Sequence, residues 1–115
     1  MTDESCLFCQ IVAGEISSDR VGETDQSLAF RDVDPQAPTH ILVIPKTHVA
    51  TLAELAASAP DVALDVLMLA QQMAAEEGVG DAYRLACNNG AEAGQSVFHA
   101  HVHVLGGRPM AWPPG

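Results

Sequence analysis

Apolar and polar positions alternate with a period of two along Gly94-Gln95-Ser96-Val97-Phe98-His99-Ala100-His101-Val102-His103-Val104-Leu105. Val97, Phe98, Val102 and Val104 favour extended backbone, and successive side chains of a strand point to opposite faces. The pattern predicts a strand with His99, His101 and His103 on one face, in steps of about 6.5–7 Å. Phe98, Ala100, Val102 and Val104 fall on the other face and are expected in the core. A purely structural strand has no need of an imidazole at every same-face position, so this stretch is the first candidate for chemistry.

The rest of the chain is patterned around it. Leu7, Phe8, Ile11 and Val12 mark a short helix over Cys6 to Gly14, with Ser5 as its cap and Gly14 as its end. Ser17 to Val33 predicts a hairpin: Val21 and Glu23 in one strand, Thr24 to Ser27 in the turn, Leu28 to Val33 in a second, half-buried strand. Thr39 to Lys46 is apolar on both faces in its middle and is therefore a central strand. Thr51 caps a short helix with Leu52 and Leu55. Ser58-Ala59-Pro60-Asp61 starts a longer one, in which Val62, Val66, Leu69, Ala70 and Met73 recur at helical spacing and Leu67 widens the stripe. Gly78 and Gly80 close it. Tyr83 to Asn88 is a fourth strand, followed by a glycine-bearing loop whose backbone donors can face an anion. The elements make an α+β domain with one long helix and one or two short ones.

Composition bounds the partners. The chain of 115 residues is one domain, 1–115, with 1–5 as a flexible N-terminus and 108–115 as a C-terminal tail. Its net charge of −10 repels polyanions, so no nucleic-acid partner is expected. A bound phosphate must be held by local donors. The longest apolar runs are too short to span a membrane, and the acidic start lacks a signal pattern. No membrane partner is expected, and the default location is cytoplasmic. Three cysteines in such a chain do not make a disulfide framework. Cys87 reads as a buried small hydrophobe. Cys6 and Cys9 form a Cys-x-x-Cys pair, open between redox work and half a zinc site. Asp32, leaving its strand beside Phe30 and Val33, is a candidate ribose ligand. Trp112, the sole tryptophan, marks the tail as a candidate interface.

His-Ala-His-Val-His-Val-Leu fits the signature of the histidine triad superfamily. Asp32 to His48, Gly94 to Val97 and the Gly-Gly-Arg…Trp-Pro-Pro-Gly ending resemble its Hint branch, and the resemblance runs from Cys6 to Gly115. It implies a homodimer with a five-stranded antiparallel sheet in each subunit, hydrolysing purine nucleoside 5′-phosphoramidates through a covalent nucleotidyl-histidine. By the same resemblance His101 is the nucleophile, its other ring nitrogen held by the His99 carbonyl. His103 bonds a phosphate oxygen, Ser96 the leaving atom, and His40 supports the triad. Asp32 holds the ribose; Leu7, Phe8, Phe30 and Val33 surround the base; Asn88 and Gln95 serve the phosphate, and Trp112 the substrate. In many bacterial members of the superfamily one structural zinc is bound through residues matching Cys6, Cys9, His48 and His99, whereas the well-studied eukaryotic Hint proteins lack the cysteine pair.

Other readings use the same residues. A dinucleoside polyphosphate hydrolase or a nucleotidyl transferase shares the covalent step with another leaving group. A zinc-stapled nucleotide-binding module needs no chemistry at His101. A metallohydrolase with zinc on all three triad histidines leaves Cys6 and Cys9 idle.

Overall fold

The computed structural model describes residues 3–115. In chain order the elements are α1 (Leu7–Val12), β1 (Arg20–Glu23), β2 (Ser27–Arg31), β3 (Thr39–Pro45), α2 (Leu52–Ser58), α3 (Pro60–Glu76), β4 (Tyr83–Ala86) and β5 (Val102–Gly106), with a 3-10 turn at Ala91–Ala93 before the last strand. The strands form one antiparallel sheet in the order β1-β2-β3-β5-β4. β3 lies at its centre and is buried throughout, as its two-sided apolar run predicts.

Helices cover both faces. Val66, Leu69, Ala70 and Met73 of α3 pack with Ala29, Ile41, Val43, Val102 and Val104 on one side. Phe8 and Ile11 of α1 pack with Leu28, Phe30, Leu42 and Ile44 on the other. Cover on both sides corrects the expected half-buried β2: α1 packs on Leu28 and Phe30, and α3 buries Ala29 on the face that alternation assigned to solvent. α3 approaches β1 so closely that a Cβ at Gly22 would meet Met73 Cε and Sδ at 2.7 Å. Leu67 is exposed, so the buried stripe of α3 is narrower than predicted and is completed by Ala63 and Ala74. The Asp65 carboxylate of α3 accepts from the Thr24 and Ser27 hydroxyls, both at 2.6 Å, and locks the hairpin turn to the helix.

α1 is capped by Cys6 in place of Ser5. The Cys6 sulfur accepts from Cys9 N–H, while Ser5 bonds Asp3. Asp3 to Ser5 therefore make a turn onto the helix, tied by Cys6 N–H to the Asp3 carbonyl.

The histidine stretch is the main departure. β5 begins at Val102, so His99 and His101 precede the strand. Pairing stops because β3 ends at Pro45, which has no N–H to offer a ladder, and its carbonyl accepts from the His99 ring instead. The preceding backbone is fixed by other contacts, among them Ala100 N–H to the Val49 carbonyl at 2.7 Å. His99 thus turns away from the face expected to carry all three imidazoles and is wholly buried. Ala100, Val102 and Val104 fill the core as predicted, but Phe98 is half exposed. Among the described residues no helix is long and apolar enough to cross a membrane.

Candidate active site and metal centre

The local chemistry of α1 builds two adjoining sites. Its first turn brings the sulfurs of Cys6 and Cys9 to one side, where they meet His48 and His99. Cys6 Sγ lies 3.4 Å from His99 Nδ1, and Cys9 Sγ lies 3.4 Å from His48 Nδ1 and 3.5 Å from His99 Nδ1. The two Nδ1 atoms are 3.2 Å apart. All four donor atoms fall within 4.8 Å of one another. Ligand atoms around a tetrahedral zinc ion, at about 2.0–2.3 Å from it, stand about 3.3–3.8 Å apart. The residues fit such an ion in number, softness and spacing. Their protons agree: His99 Nε2–H donates to the Pro45 carbonyl at 2.8 Å, which leaves Nδ1 bare and aimed at the sulfurs. Burial pushes the His99 pKa down to about 4, so the ring is neutral at pH 7, as a ligand must be. Burial also raises the Cys9 thiol above its ordinary value, so an ion must displace a proton there to bind.

His99 links this centre to the triad. Its carbonyl lies 2.7 Å from His101 Nδ1. A carbonyl can only accept, so Nδ1 carries the proton and Nε2 of His101 keeps its lone pair. Phe8 presses on the arrangement from α1: its ring meets His101 at a centroid distance of 5.2 Å and 86°, and also contacts His99 and Phe30 edge-on.

The second chain of protons runs through His40. Gln36 N–H donates to His40 Nδ1 at 3.0 Å, so the His40 proton sits on Nε2. That N–H faces His103 Nδ1 at 2.9 Å, with an Asp32 carboxylate oxygen 3.5 Å away. His103 therefore accepts at Nδ1 and offers Nε2–H. Asp32, His40 and His103 also lie close enough to surround an ion. A metal on His40 Nε2 would leave that ring with no proton unless Nδ1 took one, and Nδ1 faces a backbone donor. The trio is a hydrogen-bond relay. Nor do the three triad histidines converge on one point: His99 joins the cysteines, and His103 joins His40 and Asp32.

His101 and His103 stand side by side, ring centroids 5.0 Å apart, and line a cavity of about 460 Å³. Leu7, Phe8, Phe30, Asp32, Val33 and Ser96, six of the residues singled out from sequence, line it too. Its wall also takes Ile11, Ile16, Leu42 and Val97, which sequence reasoning left out of the site. Of these, Ile16 carried the plainest signal, an isolated apolar residue just past the helix-ending Gly14. Arg31 reaches the cavity, but its guanidinium is paired with Glu77 at 2.8 and 2.9 Å. The cavity joins an apolar slot to a carboxylate at one end and, at the other, one imidazole with a lone pair beside one with an N–H.

Three expected substrate residues stand elsewhere. The Gln95 amide is buried and engaged by backbone, donating to the Ala50 and Val97 carbonyls and accepting from Gly90 N–H. It braces the loop before the triad. Asn88 lies against Gly94, where an added Cβ would sit 3.4 Å from its Nδ2. Trp112 is 82% exposed on a tail held by Arg84 to the Ala111 carbonyl, away from the cavity lining. Cys87 is only partly buried at the rim of the α3-side core.

Comparison with known proteins decides the family. The sequence profile of the HIT domain matches residues 13–110. The chain belongs to the HIT family. An uncharacterized HIT-like protein of Synechocystis sp. is 51% identical over 114 residues, covering 97% of this chain and 98% of the relative. A maize (Zea mays) protein named 14 kDa zinc-binding protein is 44% identical over 117 residues, covering 100% of this chain and 91% of the relative. The crystal structure of a HIT family hydrolase from Legionella pneumophila Philadelphia 1 superposes with a TM-score of 0.92 at 46% identity, covering 96% of this chain and all of that one. The five-stranded antiparallel sheet is thus the HIT fold, and the triad pattern read from sequence is its signature.

Metal analysis of protein purified without chelator is expected to return about one zinc per chain. Cys9→Ser should lose the metal and lower the unfolding free energy by about 3 kcal/mol or more. A zinc-free wild-type preparation would discard the assignment.

The relay sets a pH dependence. His103 is pushed down to about 4, first by burial, then by His101 and His40, with Asp32 opposing weakly. The unfolded chain, with an ordinary imidazole near ~6.5, binds the proton that the folded chain refuses. The contribution of His103 to stability is therefore complete above about pH 6.5 and declines as pH falls toward about 4. Urea midpoints measured from pH 7 to pH 4 should fall, and His103→Asn should flatten that slope.

Proposed function

We propose that this HIT protein is a nucleotide hydrolase that cleaves purine nucleoside 5′-phosphoramidates through a nucleotidyl-His101 intermediate. The observation that carries the reading is the opposite protonation of two adjacent imidazoles at one end of an apolar cavity: His101 with a bare Nε2, His103 with an Nε2–H.

The chemistry follows from those protons. A flat base fits between Phe8, Ile11, Phe30 and Leu42, and Asp32 accepts from ribose hydroxyls. This places the α-phosphorus by the triad. The lone pair of His101 Nε2 attacks phosphorus, forming an N–P bond as the P–N bond of the substrate breaks. The departing nitrogen takes one proton, through the Ser96 hydroxyl or from solvent, and leaves as an amine. Because Nδ1 keeps its proton, the imidazole turns cationic as it bonds to phosphorus, and the His99 carbonyl at 2.7 Å stabilises that charge. His103 Nε2–H donates to a phosphoryl oxygen, which suits a chain whose net charge of −10 gives no general attraction to anions. Water then attacks phosphorus, the N–P bond breaks, one proton goes to solvent, and His101 returns neutral.

In this reading Cys6, Cys9, His48 and His99 hold a structural zinc, consistent with the name of the maize relative. When bound, the ion supplies no reaction step; it restrains the His99 side chain, whose own carbonyl sets the His101 tautomer.

The hydrolase reading agrees with the name of the Legionella neighbour. The P–N specificity rests on Ser96, which lines the cavity and matches the Hint branch. A dinucleoside polyphosphate hydrolase uses the same covalent step, so comparative turnover of adenosine 5′-phosphoramidate and diadenosine polyphosphates separates the two. The phosphoramidate should be the better substrate, and His101→Ala should lower its kcat by about three orders of magnitude or more. Preference for the polyphosphate, or a His101→Ala enzyme of near-normal kcat, would refute the assignment.

The protein is further proposed to act as a homodimer. β4 lies at the sheet edge with Leu85 exposed, and α3 exposes Leu64, Leu67 and Met68. Sedimentation equilibrium should return twice the chain mass of 12.1 kDa, and a monomer at micromolar concentration would contradict this.

A further inference from the structure

The Cys-x-x-Cys pair, open in the sequence between redox work and a metal site, has the geometry for both. Cys6 caps α1 and Cys9 sits in its first turn, where Cys9 N–H donates to Cys6 Sγ at 3.4 Å. Residues three apart at the start of a helix have Cα atoms about 5 Å apart, inside the roughly 4.4–6.8 Å that a disulfide spans. The two sulfurs lie within 4.8 Å of each other, so side-chain rotation brings them together. Cys87 packs on the α3 side of the sheet, across from both, and has no part in the pair. Each sulfur also borders an opening. Cys6 lies in the wall of a hollow of about 460 Å³, and Cys9 in the wall of another of about 210 Å³. Cys6 is 9% exposed and Cys9 5%, so a reagent that reaches the sulfurs must be small. A purely structural centre needs no approach to its sulfurs from either side.

We propose that Cys6 and Cys9 are a reversible oxidation site for hydrogen peroxide, and that their disulfide opens the cluster, expels its zinc and weakens nucleotide binding. The proposal rests on the reading of the four residues as a zinc centre and, for its last part, on the nucleotide reading of the cavity. One thiolate attacks a peroxide oxygen: an S–O bond forms, the O–O bond breaks and hydroxide leaves. The second thiolate attacks the oxidised sulfur: the S–S bond forms, the S–O bond breaks and a second hydroxide leaves. Each sulfur gives one electron, the peroxide takes both, and the ion keeps its charge but loses its two anionic ligands. The catalytic pair survives the step. His99 keeps its Nε2–H bond to the Pro45 carbonyl, and its own carbonyl still fixes the His101 proton. What is lost is the join between α1, His48 after β3 and His99 before β5. A helix of six residues has little stability of its own, and Leu7, Phe8 and Ile11 of this one line the cavity beside His101. Oxidation therefore loosens the slot and leaves the tautomer of its histidine intact.

The test treats the zinc-loaded full chain with hydrogen peroxide beside a chelating dye and maps the cysteines by mass spectrometry. Release of about one zinc per chain should keep pace with a Cys6–Cys9 disulfide, read as the loss of two hydrogens from the tryptic peptide that ends at Arg20. Dithiothreitol and added zinc should restore the starting state, and the Cys87→Ser chain should respond as the wild type does. Affinity for adenosine 5′-monophosphate should fall about tenfold on oxidation and recover on reduction. Zinc retained while Cys87 alone is oxidised overturns this inference and leaves the zinc centre standing. So does zinc lost to sulfinic or sulfonic acids that dithiothreitol does not reverse, or a disulfide form that binds the nucleotide unchanged. A chain that holds no zinc before treatment removes both readings together. A reduced, zinc-loaded chain that binds no nucleotide removes the proposed function and the last part of this inference, while metal and thiols still decide the oxidation site.

Discussion

One hydrogen bond, from His101 Nδ1–H to the His99 carbonyl at 2.7 Å, decides which ring nitrogen of the central histidine is free to react. A neutral imidazole has one proton and two places for it, and in water the choice costs little. Here the choice is made by backbone, and the backbone is held by the side chain of the same residue. His99 is wholly buried, bonded to the Pro45 carbonyl through Nε2 and turned through Nδ1 toward Cys6, Cys9 and His48. One residue therefore joins the Cys6, Cys9 and His48 cluster with its ring and fixes the His101 tautomer with its carbonyl. This double use requires His99 to leave the face it would share with His101 in a regular strand. The early end of β3 at Pro45 is what permits it.

The neighbouring histidine is governed in the same way from the other side. A backbone N–H of Gln36 sets the His40 tautomer, and His40 sets that of His103. Both fixed protons trace back to main-chain groups beside the paired central strands β3 and β5. The short helix α1 adds the third element. Its cysteines face the metal cluster while Phe8, one residue before Cys9, wedges against His99, His101 and Phe30. The Cys2His2 cluster, the His101 and His103 pair and the apolar cavity share that helix, so displacing it would disturb all three.

Much of this was legible in the chain. The two-sided run Ile41 to Ile44 located the central strand, Pro60 after Ala59 started the long helix, and Thr51 capped the short one. The alternation of His101, Val102, His103 and Val104 placed two imidazoles side by side, and the Cys-x-x-Cys spacing pointed to a soft-ligand site. What failed has physical causes. Strand periodicity extended too far because nothing in Val97 to Ala100 signals that the partner strand ends at a proline carbonyl used by a side chain. β2 looked half-buried because a small Ala29 beside Arg31 gives no sign that the long helix packs on their face as well. Gln95, which the resemblance assigns to the phosphate region, has its amide engaged by backbone, and such an amide reads the same in sequence as one offered to a ligand.

The tautomer of His101 is the claim on which the chemistry turns, and it can be observed without substrate. Long-range 1H–15N correlation spectra of the metal-loaded protein at pH 7 should show His101 protonated at Nδ1 with a bare Nε2. His103 should show the reverse, protonated at Nε2 with Nδ1 accepting from His40. A His101 ring found with its proton on Nε2 would leave no lone pair facing the cavity and would contradict the account at its root.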